Sequence, residues 1–229
     1  MPRLGIISGF KSWYAHLHEY RYRFLFAALI TYLVLVPFVE GTTGFVIPIL
    51  FFLMLYFILD TLDLTRGIFW SAVGVGLAAM VLHLIGNTPG LSSTDATLLE
   101  LIVEGLYLIF ISFCILILTY KIFSEKTVTG DTIRGGIAVY FLAGLAGAFF
   151  YDLYLIVDPN ALSGIDSTNH FSSAIYFSFV TMTTLGFGDM TPQTPLLRTV
   201  VYLQAALGQI YLAVLVARLV GLLSTSKPK

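Results

Sequence analysis

Charge is what this chain has least of. Of its 229 residues only 11% are Asp, Glu, Lys or Arg, against 58% apolar, and the mean hydropathy is +0.90. A water-soluble domain averages about 25% charged residues. So small a supply cannot cover a water-facing surface, and the solvent it suits is lipid. The formal net charge of −1 leaves no basic excess for a nucleic-acid partner. Cysteine is nearly absent too. Cys114 stands alone inside an apolar run, which excludes an intrachain disulfide and a thiolate metal cluster. The four histidines, His16, His18, His83 and His170, come without an H-E-x-x-H, G-x-S-x-G or paired-cysteine constellation. Neither an enzyme nor a cofactor is therefore expected. The first apolar run follows 23 residues and precedes no small-residue cleavage pattern, unlike a secretory signal.

Long apolar runs are what the chain has instead. They lie near residues 24–39, 45–59, 68–85, 98–120, 136–157 and 196–222. A spanning helix takes about 20 residues, or about 17 at the short end. The last four runs qualify; the first two reach adequate length as 24–40 and 45–62 if their polar ends sit among headgroups, with a single re-entrant pair as the alternative. The expected fold is an all-α membrane protein of six transmembrane helices. A shorter run at 171–183 rises only about 20 Å as a helix, too little for a hydrocarbon core of about 30 Å. It predicts a helix that enters the membrane half-way and turns back.

Lys and Arg set the orientation. Eleven of the twelve fall in residues 1–23, the 60–67 and 121–135 loops and the C-terminal end, and none in 40–44, 86–97 or 158–195 apart from these; the twelfth is Arg198. Both termini are expected in the cytoplasm and Asp189 outside, in the plasma membrane or the inner membrane of a bacterium. Residues 1–23 carry Ile6, Phe10, Trp13 and Leu17 at helical spacing, which predicts an interfacial amphipathic segment, a mobile tail being the alternative. Residues 24–122 form a four-helix transmembrane domain. Residues 67–120 contain no Lys or Arg. A voltage sensor needs several, since each charge crossing the field contributes about 2.3 kcal/mol per 100 mV; steep gating by a positive fourth helix is excluded.

The stretch TMTTLGFGDMTP, Thr181–Pro192, follows the half-length helix. Irregular backbone at membrane depth is tolerated only where protein buries it or water hydrates it, or where the backbone is itself the ligand. Glycine reaches positive φ without steric cost, so Gly186 and Gly188, alternating with ordinary residues, let successive carbonyls point one way. A column of carbonyl oxygens can replace the hydration shell of a monovalent cation. The C-terminal end of the half helix adds partial negative charge.

Thr183-Thr184-Leu185-Gly186-Phe187-Gly188-Asp189 resembles the selectivity filter of the tetrameric potassium channels, usually written T-T-V-G-Y-G-D. Val180-Thr181-Met182 is similar to the end of the pore helix and Met190-Thr191-Pro192 to the exit from the filter. The resemblance covers a pore domain at 136–223: outer helix 136–157, pore helix 171–183, filter 184–189 and inner helix 196–222. It implies K⁺ as permeant ion, held by the carbonyls of Thr184, Leu185, Gly186 and Phe187 and the Thr184 hydroxyl, with Gly188 completing the ion-binding stretch and Thr183 supporting it. It implies that Asp189 anchors the outer end, with Tyr176 as its hydrogen-bond partner. Phe187 replaces the usual Tyr and removes its hydroxyl; Phe177, where an aromatic donor often sits, has none either, so these two are expected to hold each other by packing.

One chain supplies one filter strand, so a homotetramer is implied. Gly208 falls where the family has its inner-helix hinge; it permits bending or close helix contact. Leu212, Val216 and Val220 follow at helical spacing and form either an apolar gate or a packing stripe. Gln204 and Gln209 are expected to bond across helices, and Arg198 to reach the outer interface or a carboxylate. Glu100 and Glu104 share one face of the fourth span, and a Glu104–His83 pair would make opening depend on external pH; interhelical packing is the alternative. Asp60 and Asp63 are expected to pair with Arg66 or Arg134, and Asp152 to support the pore helix. Six residues follow Leu223, from which no cytoplasmic sensor is expected; opening then arises within the membrane, from a separate regulatory subunit, or not at all in a leak channel. The alternative functions are the pore subunit of a potassium uptake transporter, disfavoured by the lack of internal repeats, and a weakly selective cation channel.

Overall fold

The computed structural model describes residues 21–39, 46–62, 64–86, 93–165 and 170–225. Most of the expected interfacial segment, and Asp63, lie outside them. The described chain is helical almost throughout: α1 (Arg21–Val39), α2 (Val46–Thr61), α3 (Arg66–Gly86), α4 (Ser93–Ser124), α5 (Gly130–Val157), α6 (His170–Met182) and α7 (Pro195–Thr225), with β1 (Leu162–Ser163) and β2 (Thr191–Pro192) as a two-residue ladder. Five of these helices are long and apolar enough to cross a membrane; α2, with 16 residues, is shorter. At 1.5 Å per residue it rises about 24 Å, so its crossing needs the flanking residues. Large apolar side chains stand exposed around the outside, among them Phe38, Trp70, Ile109, Leu116 and Tyr120, as suits a chain solvated by lipid.

Polar side chains define where helices begin and end. α5 starts at Gly130 because Thr129, in extended conformation (φ −113°, ψ 164°), accepts from Thr132 N while the Thr132 hydroxyl accepts from Thr129 N, a reciprocal cap. The Thr194 hydroxyl accepts from Leu197 N at 3.3 Å and Pro195 occupies the first turn of α7, where its missing N–H costs nothing. At the end of the bundle expected to be cytoplasmic, charged groups serve helix termini. Asp131 accepts from Tyr22 N and Arg23 N at the start of α1, at 3.2 and 3.1 Å. Lys121 Nζ donates to Thr61 O at the end of α2. Arg218 Nη2 donates to Phe123 O and Glu125 O at 3.0 and 3.2 Å, joining the end of α4 to α7. Arg134 lies 4.0 Å from Asp131.

The four N-terminal helices reach the pore region through aromatic rings. Phe51 of α2 packs on Tyr107 of α4 and Phe149 of α5, with centroids 4.4 and 5.2 Å apart. Phe149 in turn lies 4.9 Å from Phe171 at the start of α6. Each such pair contributes about 0.5–1.5 kcal/mol beyond its burial, so the entry to α6 is buttressed from the N-terminal helices.

Candidate functional site: a half-length helix and the loop behind it

The stretch singled out in the sequence hangs from the C-terminal end of α6. That helix has 13 residues and stops where the chain reverses. Thr184 N donates to Thr181 O, and Leu185 N and Gly186 N both donate to Val180 O, at 2.9, 3.0 and 3.2 Å. The Thr183 hydroxyl donates to Phe179 O at 2.7 Å. The last carbonyls of α6, which a helix leaves unpaired, are thus met by the loop's own amides.

The loop alternates in hand. Thr184 has φ 61°, Gly186 54° and Gly188 80°, and Thr184 is the sole non-glycine with positive φ among the described residues. Leu185 and Phe187 between them therefore keep ordinary negative φ. An alternating backbone gathers successive N–H groups on one side and carbonyls on the other. Here the amides of Thr184, Leu185 and Gly186 face α6. A left-handed threonine costs on the order of 1–3 kcal/mol, which the three amide bonds to α6 offset. From Thr183 to Asp189 every residue is exposed on the single chain.

At the outer end of the loop the Tyr176 hydroxyl donates to Asp189 Oδ2 at 2.6 Å, the bond expected from the sequence. It holds the Asp189 carboxyl below the usual carboxylate range. The loop's exit is tied back by the β-ladder, which pairs Leu162 with Pro192 and Ser163 with Thr191. Gln193 Nε2 reaches Ser163 Oγ and Thr191 O, both at 3.0 Å. Gly164, at φ 82°, lies so close that a Cβ there would stand 2.2 Å from Asp189 O. Arg198 Nε donates to Pro192 O at 3.1 Å. It therefore braces this exit.

Several expectations change. Phe177 and Phe187 do not pack together within one chain. Phe177 is buried with its ring 4.9 Å from Tyr151, whereas Phe187 is 64% exposed. They point to opposite sides because α6 turns Phe177 towards α5 while the loop carries Phe187 away. Gly208 is a point of contact within an unbroken α7: a Cβ there would meet Met182 Cγ at 2.6 Å and Met182 O at 2.7 Å. Gln209 Nε2 donates to the same carbonyl at 3.2 Å. Beyond Gly208, Leu212 is half-buried and Val216 and Val220 are exposed on the single chain.

The Glu104–His83 pair is not made. Glu104 is buried, faces Asp152 of α5 and Glu100, and its Oε2 accepts no hydrogen bond among the described residues. Glu100 faces His170, and His83 is half-buried on α3. The reason is rotational. The outer end of α3 lies alongside Leu99, where a Cβ on Gly86 would come within 3.8 Å of the Leu99 Cβ. Glu104, five residues on, sits about 140° further around α4. Asp152, expected to support the pore helix, is buried and lies near Glu104.

Sequence reading missed three supports of the loop: Ser178 and Tyr151, which bond to Gln204, and the Leu162–Ser163 ladder. A polar residue inside an apolar span was the available signal for Gln204. Its partners carry none, because Ser178 and Tyr151 are ordinary in their own helices. Between α4, α5 and α7 runs an open apolar groove of about 670 Å³, lined by residues that include Ile115, Tyr140, Tyr151, Leu207 and Val214.

Residues 136–225, which contain most of α5 and all of α6, the loop and α7, match the model of a family described as Ion channel. No curated protein and no solved structure matches the chain. The matched region and the apolar helices of spanning length support a membrane protein that is an ion channel.

Proposed function

We propose that the chain is one subunit of a potassium-selective channel that assembles as a homotetramer and conducts K⁺ passively through the plasma membrane. The single observation that carries this reading is the alternating backbone at Thr184, Gly186 and Gly188, in which α6 engages the amides of Thr184, Leu185 and Gly186. One such strand offers K⁺ one side of a cage. Four around an axis offer rings of carbonyls from Thr184, Leu185, Gly186 and Phe187, with the Thr184 hydroxyl below, in place of the ion's water. The C-terminal end of α6 places partial negative charge behind them. Asp189, kept ionised by Tyr176, raises cation concentration at the mouth. α7 lines the inner path, with Leu212, Val216 and Val220 as the candidate constriction. The fourth helix lacks Lys and Arg across the membrane, so a moving positive charge does not open this pore.

Two measurements test this. Native mass determination of the purified protein is expected to give four copies. Liposomes containing it are expected to dissipate a K⁺ gradient and hold a Na⁺ gradient. A monomer, or equal passage of the two ions, overturns the proposal; equal passage by a tetramer would indicate a weakly selective cation channel.

A further inference from the structure

The polar groups behind the loop form one directed chain. Ser178 of α6 is fully buried, and a buried hydroxyl needs partners. It donates to Gly144 O of α5 at 2.5 Å and accepts from Gln204 Nε2 of α7 at 2.7 Å. The other end of that amide, Gln204 Oε1, accepts from the Tyr151 hydroxyl of α5 at 2.5 Å. Every donor points the same way along the series: phenol to amide, amide to serine, serine to main chain. Turning the amide over would leave the phenol proton without an acceptor and pull the serine proton from Gly144. Space for the amide is made at Gly147, where a Cβ would stand 2.1 Å from Gln204 Nε2 and 2.5 Å from Ser178 Oγ. The Tyr151 ring also lies edge-on against Phe177, the neighbour of Ser178.

We infer that Gln204 is a positioning residue that latches the inner helix to the pore helix and so holds the filter in its conducting shape. The inference rests on the reading of the chain as a potassium channel and deepens it. Two residues beyond Ser178 is Val180, whose carbonyl receives the amides of Leu185 and Gly186. Any shift of α6 at Ser178 is therefore delivered to the filter strand. In a filter whose Phe187 lacks a phenol, this latch holds from behind the pore helix. With Ser178 and Tyr151 buried and Gln204 half-buried among apolar side chains, its bonds are electrostatically stronger than they would be in water. Because α7 lines the inner path, the same bonds make the filter responsive to movement of that helix.

The test compares wild type with Gln204→Leu, Ser178→Ala and Tyr151→Phe in liposomes, reading the ratio of K⁺ to Na⁺ flux and the decay of flux with time. Assembly is checked by native mass determination. Gln204→Leu keeps the volume and removes both bonds. It is expected to assemble and to lower the K⁺/Na⁺ ratio by about tenfold, with faster decay. Ser178→Ala should follow it and Tyr151→Phe lie between it and wild type. A structural role alone would lower thermal stability and leave selectivity and decay untouched. Assembled Gln204→Leu with the wild-type ratio and time course overturns the inference. Should that variant not assemble, Tyr151→Phe, which removes one hydroxyl, decides by the same readout. A wild type with no preference for K⁺ defeats the channel reading instead, a result distinct from either.

Discussion

Replacing Gly208 by alanine separates the two roles that a glycine in the inner helix can have. In a helix interior alanine is favoured over glycine by about 1 kcal/mol, so a glycine that served only as a hinge would become more stable when replaced. The structure gives the opposite expectation. The new Cβ would lie 2.6 Å from Met182 Cγ and 2.7 Å from Met182 O, on the order of 0.8 Å inside ordinary contact. The Met182 side chain can turn away, but its carbonyl cannot move alone, because it ends α6 and accepts from Gln209 at 3.2 Å. Overpacking of this kind costs about 1–3 kcal/mol, and loss of the Gln209 bond adds about 0.5–1.5 kcal/mol. Together these exceed the helix-propensity gain, leaving a net destabilisation of about 1–3 kcal/mol. Thermal unfolding in detergent measures it, with Gly74→Ala as control, since a Cβ there meets nothing within 4 Å. Flux in liposomes should fall as well, because Met182 stands directly before the filter. An Ala206→Gly change added to Gly208→Ala restores a flexible glycine to the same turn but not the close approach. If that double variant conducts like wild type, or if Gly208→Ala unfolds no earlier than Gly74→Ala, the contact argument fails.

Tyr176→Phe should hasten the loss of flux during sustained conduction, and unchanged decay would count against the Tyr176–Asp189 clamp. The same bond lowers the Asp189 carboxyl, so in wild type its contribution is complete above the ordinary carboxylate value of about 3.9 and is lost only as external pH falls through the lowered one. In Tyr176→Phe the acid limb of the flux–pH profile should therefore move upward; coincident limbs would refute the assignment. Gly164→Ala places a side chain at φ 82° and 2.2 Å from Asp189 O. It should cost at least about 1–3 kcal/mol from the backbone alone, seen as a lower unfolding temperature, and a wild-type temperature would show that the ladder does not hold the loop. Arg218→Met keeps the stem but removes the donor to Phe123 O and Glu125 O. A loss of about 1.5–3 kcal/mol in denaturant unfolding is expected, and a loss below about 0.5 kcal/mol would show that this contact carries little.

The shape of the loop after α6 was legible because its backbone pattern is local. Alternating hand favours glycine, and the residues involved, Thr184 to Gly188, are consecutive. The helices in lipid were legible because the bilayer imposes a minimum apolar length. Their ends were less so. α5 begins at Gly130, before the apolar run, since a helix ends where its cap lies and the lipid boundary does not decide that. The cap pair Thr129–Thr132 is a local signal that the hydropathy pattern overlooks.

What the sequence hid was the facing of each helix. An amphipathic helix in water has an apolar stripe that states which side is inward. A helix apolar on every side has none, so charge complementarity was the only guide to pairing, and it put Glu104 with His83 when the backbone turns Glu104 to Asp152. In lipid, packing between helices falls to small residues and to rare polar groups. The informative positions are therefore the ones that interrupt the greasy runs. Gly147 lies against Gln204, Gly208 against Met182, and Gly144 carries the carbonyl that Ser178 bonds. Each marks an inward face of α5 or α7, and all meet α6 just before the filter. In this chain the facing of the spans is encoded where side chains are missing or polar, and those positions converge on the one segment that cannot use lipid as its solvent.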